Sequence, residues 1–173
     1  IRDYKVTGVQ TCALPICASA VDSLEQAVRW DPQRRAAWMQ LGLAKLRDGQ
    51  GASGLACLKR AAELAPRSSE ADNALAWILS THPDDSLRDG AAALRRIEPA
   101  ANAADPIPSL LDTLAAAYAE SGRFEDALRA ARRAEEVARG RGDVGLADRI
   151  RGRIGLYSRK LPCREDPAAR STP

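Results

Sequence analysis

The feature that most constrains this chain is an internal period of 34 residues, which separates Pro32 from Pro66, Ala27 from Ala61, and Leu41 from Leu75. A fixed period of that length marks an array of small supersecondary units. None of them can bury its apolar face alone, so neighbours must stack into one continuous core. The residues available for that core suit helices. Alanine and arginine dominate, aromatics are only 4% of the chain, and β-branched residues are sparse. That choice of side chains favours helix over sheet, so the expected class is all-α with almost no strand.

The units also share a pattern. Trp38, Leu41, Gly42, Leu58, Ala61 and Pro66 occupy the places of W-x2-L-G-x2-Y, then A-x3-F, then P. On these positions the chain resembles the tetratricopeptide repeat proteins, in which each repeat is a pair of antiparallel helices. The resemblance implies a right-handed superhelical stack of such pairs, an α-solenoid, closed by a C-terminal capping helix. Trp38 is then expected to wedge between the two helices of its repeat. The pattern departs at Lys45, where the family has an aromatic, and at Gly54, where alanine is usual, which implies looser packing there.

With this pattern, residues 18–34 form the second helix of a truncated repeat, residues 35–68 a full repeat, and residues 69–107 a repeat with a lengthened loop between its helices. Residues 108–141 form the last repeat, residues 142–160 the cap, and residues 161–173 a disordered tail. In the middle repeat the interval from Leu75 to Leu114 is 39 residues, and the surplus over the period fits a turn at His82-Pro83-Asp84-Asp85-Ser86. A helix from Gly90 to about Glu98 should follow, shortened or kinked by Pro99. The last repeat matches best, with Leu114, Ala115, Tyr118, Gly122, Phe124, Ala127 and Ala134 in family positions. Gly49 and Gly122 stand where a helix should stop, because left-handed backbone is easiest for glycine. Leu146, Ile150, Ile154 and Tyr157 recur at helical spacing and describe the amphipathic cap.

Residues 1–16, IRDYKVTGVQTCALPI, have neither helical periodicity nor a signal-peptide layout. Residues 6–16 resemble, codon for codon, one reading frame of a sequencing-library adapter, and residues 1–3 fit its upstream part. Residues 1–17 are therefore expected to be an adapter-derived artefact without ordered structure. The chain is accordingly expected to be the C-terminal piece of a longer protein. Cys12 belongs to that segment, and Cys57 and Cys163 are too widely spaced to form a framework.

The formal charge of +3 arises from 26 basic and 23 acidic residues. A mixed surface of this kind lacks the concentrated positive field that phosphate backbones attract, so no nucleic acid partner is expected. No run of about eighteen apolar residues is present to span a bilayer, so no membrane contact is expected. The only histidine, His82, lies beside a proline with no second histidine or nearby cysteine, and reads as a solvated loop residue. Gly140-Arg141-Gly142 follows a helix and not a strand, which makes it a loop and not a phosphate cradle. Arg149, Arg151, Arg153, Arg159 and Lys160 read as the solvated outer faces of the cap. No catalytic residue, metal ligand or cofactor is expected, and the chain is not expected to be an enzyme.

The resemblance implies a protein–protein interaction scaffold whose ligand, a peptide or partner protein, lies on the concave face made by the first helix of each repeat. Met39 and Leu43, Asn73 and Trp77, and Asp112 and Ala116 stand at those places. The basic clamp with which some members hold a terminal carboxylate is missing, so a groove of apolar and amide contacts is implied. Asn73 and Trp77, four residues apart, share a helical face. Trp77 has two readings, one in ligand binding and one in packing against the next first helix. A narrower similarity lies in ADNALAWILSTHPDDSLRDGAAAL, LLDTLAAAYAESGRFEDAL and LYSRKLPCRE. These runs resemble the C-terminal repeats of bacterial proteins that stand alone or follow a larger unit. The alternative role is thus a regulatory or assembly tail of an upstream enzyme, such as a glycosyltransferase or kinase.

Overall fold

Every regular element in the computed structural model, which describes residues 15–64, 69–102 and 105–165, is helical. The helices are α1 (Pro15–Trp30), α2 (Arg35–Arg47), α3 (Gly51–Leu64), α4 (Ser69–Thr81), α5 (Gly90–Ala101), α6 (Pro108–Glu120), α7 (Phe124–Gly140) and α8 (Val144–Tyr157). The pairs α2/α3, α4/α5 and α6/α7 pack on one another, α1 packs on α2, and α8 packs on α7. Short connections make such neighbours antiparallel, which gives an α-solenoid. Gly49 and Gly122 stop α2 and α6 with φ of 77° and 75°. There the following backbone N–H groups turn back, Gln50 to the Lys45 carbonyl at 2.8 Å and Arg123 to the Tyr118 carbonyl at 2.9 Å.

Several expectations need correction. The disordered artefact assigned to residues 1–17 lies outside the described residues up to residue 14, but residues 15–17 form the first turn of α1. Pro15 begins that turn, where its fixed φ suits the helix and its missing N–H would have had no intrahelical partner. α5 continues past Pro99 to Ala101, whose side chain is fully buried and pins the last turn. Trp38 is half-buried and does not lie wholly between α2 and α3. It touches both hydrophobic clusters and donates its indole N–H to the Pro32 carbonyl at 2.9 Å. The expected tail, residues 161–173, is outside the described residues only from residue 166. Residues 161–165 form a packed strap.

The first full repeat is tight where looseness was expected. A Cβ placed on Gly54 would lie 2.8 Å from the Gly42 carbonyl oxygen and 2.9 Å from the Leu46 backbone nitrogen. α2 and α3 therefore cross backbone to backbone, and the missing alanine is the condition for that approach. Gly54→Ala should destabilise the protein by about 1–2 kcal/mol, because overpacking against backbone outweighs the roughly 1 kcal/mol that alanine gains in helix propensity. A rise in melting temperature would show that the helices have room to part. Lys45, the other departure, ties α2 to α1 by a 2.7 Å ion pair with Glu25, whose carboxyl is held below its ordinary pKa by that ammonium.

The lengthened loop is a built element. Asp84 accepts from the Ser86 backbone N–H at 3.0 Å and starts a 3-10 turn, Asp85–Leu87, which delivers Leu87 into the core. His82 is half-buried and its Nδ1 accepts from the Asp84 backbone N–H at 3.0 Å, so it shapes this turn and is not freely solvated. Arg88 donates to the His82 and Pro83 carbonyls and pairs with Glu120 at the end of α6, each at 2.9 Å. α4 also packs along α6, whereas α2 makes no comparable contact with α4. A trench opens on that side.

Candidate functional site

The first helices α2 and α4 each turn a pair of residues toward the trench, since positions four apart share one face, and α6 contributes one of its pair. Met39 and Leu43 of α2, Asn73 and Trp77 of α4, and Asp112 of α6 line a single cavity of about 800 Å³. Ala116 does not join them. It is 1% exposed and packed into the main core. Asn73 is half-buried, and its Oδ1 accepts no hydrogen bond from the described residues. Gln40, Ser109 and Thr113 add further polar groups to the wall.

The floor of the cavity comes from outside the repeats. Arg153 of α8 is 7% exposed, so its assignment to a solvated outer face is wrong. Its position three residues after Ile150 and four before Tyr157 puts it on the buried stripe of α8. From there the guanidinium donates to Asp112 Oδ2 at 2.9 Å and to Glu165 Oε1 at 2.5 Å. It also lies 4.8 Å from the centre of the Trp77 ring, within cation–π range. Burial alone would push the Arg153 pKa down, but Asp112 and Glu165 outweigh it and hold it above its ordinary value. Of the other residues in that basic cluster, Arg151 does lie on the surface, paired with Glu135 and Asp148.

Trp77 is thus a packed residue, 8% exposed beneath the guanidinium, that still borders the cavity. Asp112 is 4% exposed and serves first as the partner of Arg153. Neither Arg153, expected on the outer face of the cap, nor Glu165, in the expected tail, was expected at this cavity. For Arg153 the signal was present in its spacing with Ile150 and Tyr157. Nothing local marked Glu165, which reaches the cavity through contacts with distant parts of the chain. Those contacts begin at Lys160, whose φ of 55° reverses the chain after α8. The Glu165 backbone N–H then donates to the Thr81 carbonyl at 2.9 Å, and Arg164 pairs with Glu120 at 2.7 Å. Cys163 is buried between these anchors, and burial pushes its thiol pKa up. Among the described residues no group of three or more His, Cys, Asp or Glu is arranged to hold a metal ion. No described helix is long and apolar enough to cross a membrane.

Comparison with known proteins places this geometry. A family model described as tetratricopeptide repeat matches residues 13–144. The crystal structure of MamA superposes with a TM-score of 0.57 at 17% sequence identity, covering 91% of this chain and 96% of that one. At that identity the likeness concerns the fold. No curated protein matches the sequence. The family match ends at Val144, so Arg149, Arg153 and Glu165 lie beyond the part that the repeats account for.

Proposed function

This chain belongs to the tetratricopeptide repeat family, and from that premise we propose that its concave trench receives a peptide or an extended segment of a partner protein. Repeats of this family are typically non-catalytic protein-interaction scaffolds, and the proposed role is binding without catalysis. The observation that carries the reading is the convergence of Met39, Leu43, Asn73 and Trp77, from two repeats, on one open cavity. Apolar walls with a few placed polar groups are what a peptide site needs. Asn73 Oδ1, which the described residues leave without a donor, suits a backbone N–H of an extended chain.

The test starts from an unbiased displayed-peptide selection against the whole chain. Leu43 is half-buried on the trench wall, so a charge can be placed there without opening the core. Leu43→Glu should weaken selected peptides by at least about tenfold, the effect of 1.4 kcal/mol, while the melting temperature stays within a few degrees of the parent. Peptides that bind Leu43→Glu as tightly as the parent would place the binding site elsewhere.

A further inference from the structure

The trench already contains a carboxylate that does not come from the repeats. Glu165 reaches Arg153 at 2.5 Å from the end of the strap, while its backbone N–H holds the Thr81 carbonyl at the end of α4. The remaining charges bordering the cavity are unevenly matched. Glu70 pairs with Arg35, and Asp112 pairs with Arg153. Arg47 and Arg149 are exposed at the rim and form no ion pair with the described residues. With Glu165 withdrawn, the cavity presents Arg47, Arg149 and one half-satisfied buried guanidinium. That guanidinium is held in place by Trp77 and Asp112, and a fixed planar fork of donors matches an anionic acceptor such as the carboxylate it already holds.

We propose that the trench selects an acidic peptide segment, whose carboxylate takes the place of Glu165 on Arg153, and that residues 161–165 are the intramolecular competitor which the ligand displaces. The inference rests on the trench being a peptide site and adds the chemistry of the peptide. The basic clamp absent from the first helices is replaced by an arginine of the capping helix. A tethered carboxylate competes at high effective concentration, so the strap sets the affinity that an incoming acidic segment must exceed. The strap can leave without unfolding the repeats, because what ties it to them is local: the Glu165 N–H on the Thr81 carbonyl, Arg164 on Glu120 and on the Ser80 carbonyl at 3.5 Å, the ion pair of Glu165, and one buried thiol.

The experiment uses the full chain and two labelled synthetic peptides, one alternating leucine with glutamate and the other with glutamine in place of each glutamate. Glu165→Gln keeps the strap and its backbone bond but removes the competing charge. It should tighten the acidic peptide on the order of tenfold and leave the glutamine peptide unchanged. In the parent chain, saturating acidic peptide should speed hydrogen exchange of the Glu165 amide, whose bond to Thr81 is then lost. The proposal is overturned if the acidic peptide fails to bind Glu165→Gln, binds it no better than the parent, or binds while that amide stays protected. Equal binding of both peptides that is lost in Leu43→Glu would overturn acid selection and leave the peptide site standing. Binding insensitive to Leu43→Glu would remove the site itself.

Discussion

Replacing Arg153 with methionine should lower stability by about 3–5 kcal/mol, which for a chain of this size is a fall in melting temperature on the order of 10 °C. Methionine matches the length of the arginine stem and adapts to the space, so the change tests the charge more than the volume. What remains is Asp112, with a side chain only 6% exposed and no guanidinium at 2.9 Å to balance it. A buried carboxylate stripped of its guanidinium is what makes removal of one partner expensive. Removing both should be far milder, since a buried pair exchanged for apolar groups of similar volume is often close to neutral. Arg153→Met with Asp112→Leu should therefore recover most of the loss, and thermal unfolding of the two single variants and the double measures the coupling. A loss below about 1 kcal/mol for Arg153→Met alone would mean that the guanidinium does not hold α8 to the trench.

The second large effect is at Tyr157, where the nature of the substitution decides both size and sign. The side chain is 0% exposed and stands at the end of α8, at the point where the strap departs. Tyr157→Ala should cost about 3–5 kcal/mol through lost burial and the cavity left behind. Its hydroxyl, however, accepts and donates no hydrogen bond among the described residues, and burial pushes its pKa well above the ordinary tyrosine value. A buried hydroxyl without a partner is a liability of about 1–3 kcal/mol, so Tyr157→Phe should be neutral or stabilising. Denaturant melts of the two variants give the comparison. A phenylalanine variant that loses as much as the alanine variant would reveal a hydrogen bond to this oxygen.

The helices and their pairing were legible because their causes are local. Gly49 and Gly122 take left-handed backbone, and the apolar positions recur at helical spacing, which short-range sterics and burial enforce without reference to the rest of the chain. Met39, Leu43, Asn73, Trp77 and Asp112 were recoverable from the same repeat, since equivalent positions in stacked units must face the same side. Local rules failed where two elements approach. Gly54 weighed as a packing defect in isolation becomes the condition for contact once Gly42 of the facing helix is known.

What the sequence by itself determined was therefore the repeating helical frame and which face of it lines a trench. What only the tertiary structure decided was the state of that trench. Arg153 meets Asp112 across 41 residues, and Arg164 meets the Ser80 carbonyl across 84. Such pairings leave no period in the chain, because their partners are chosen by how the superhelix and its cap close in space. A buried arginine and an exposed one have the same spacing rules until the facing carboxylate and indole are in place. Tertiary packing desolvated Arg153, brought Glu165 to it, and turned an open groove into one already partly occupied.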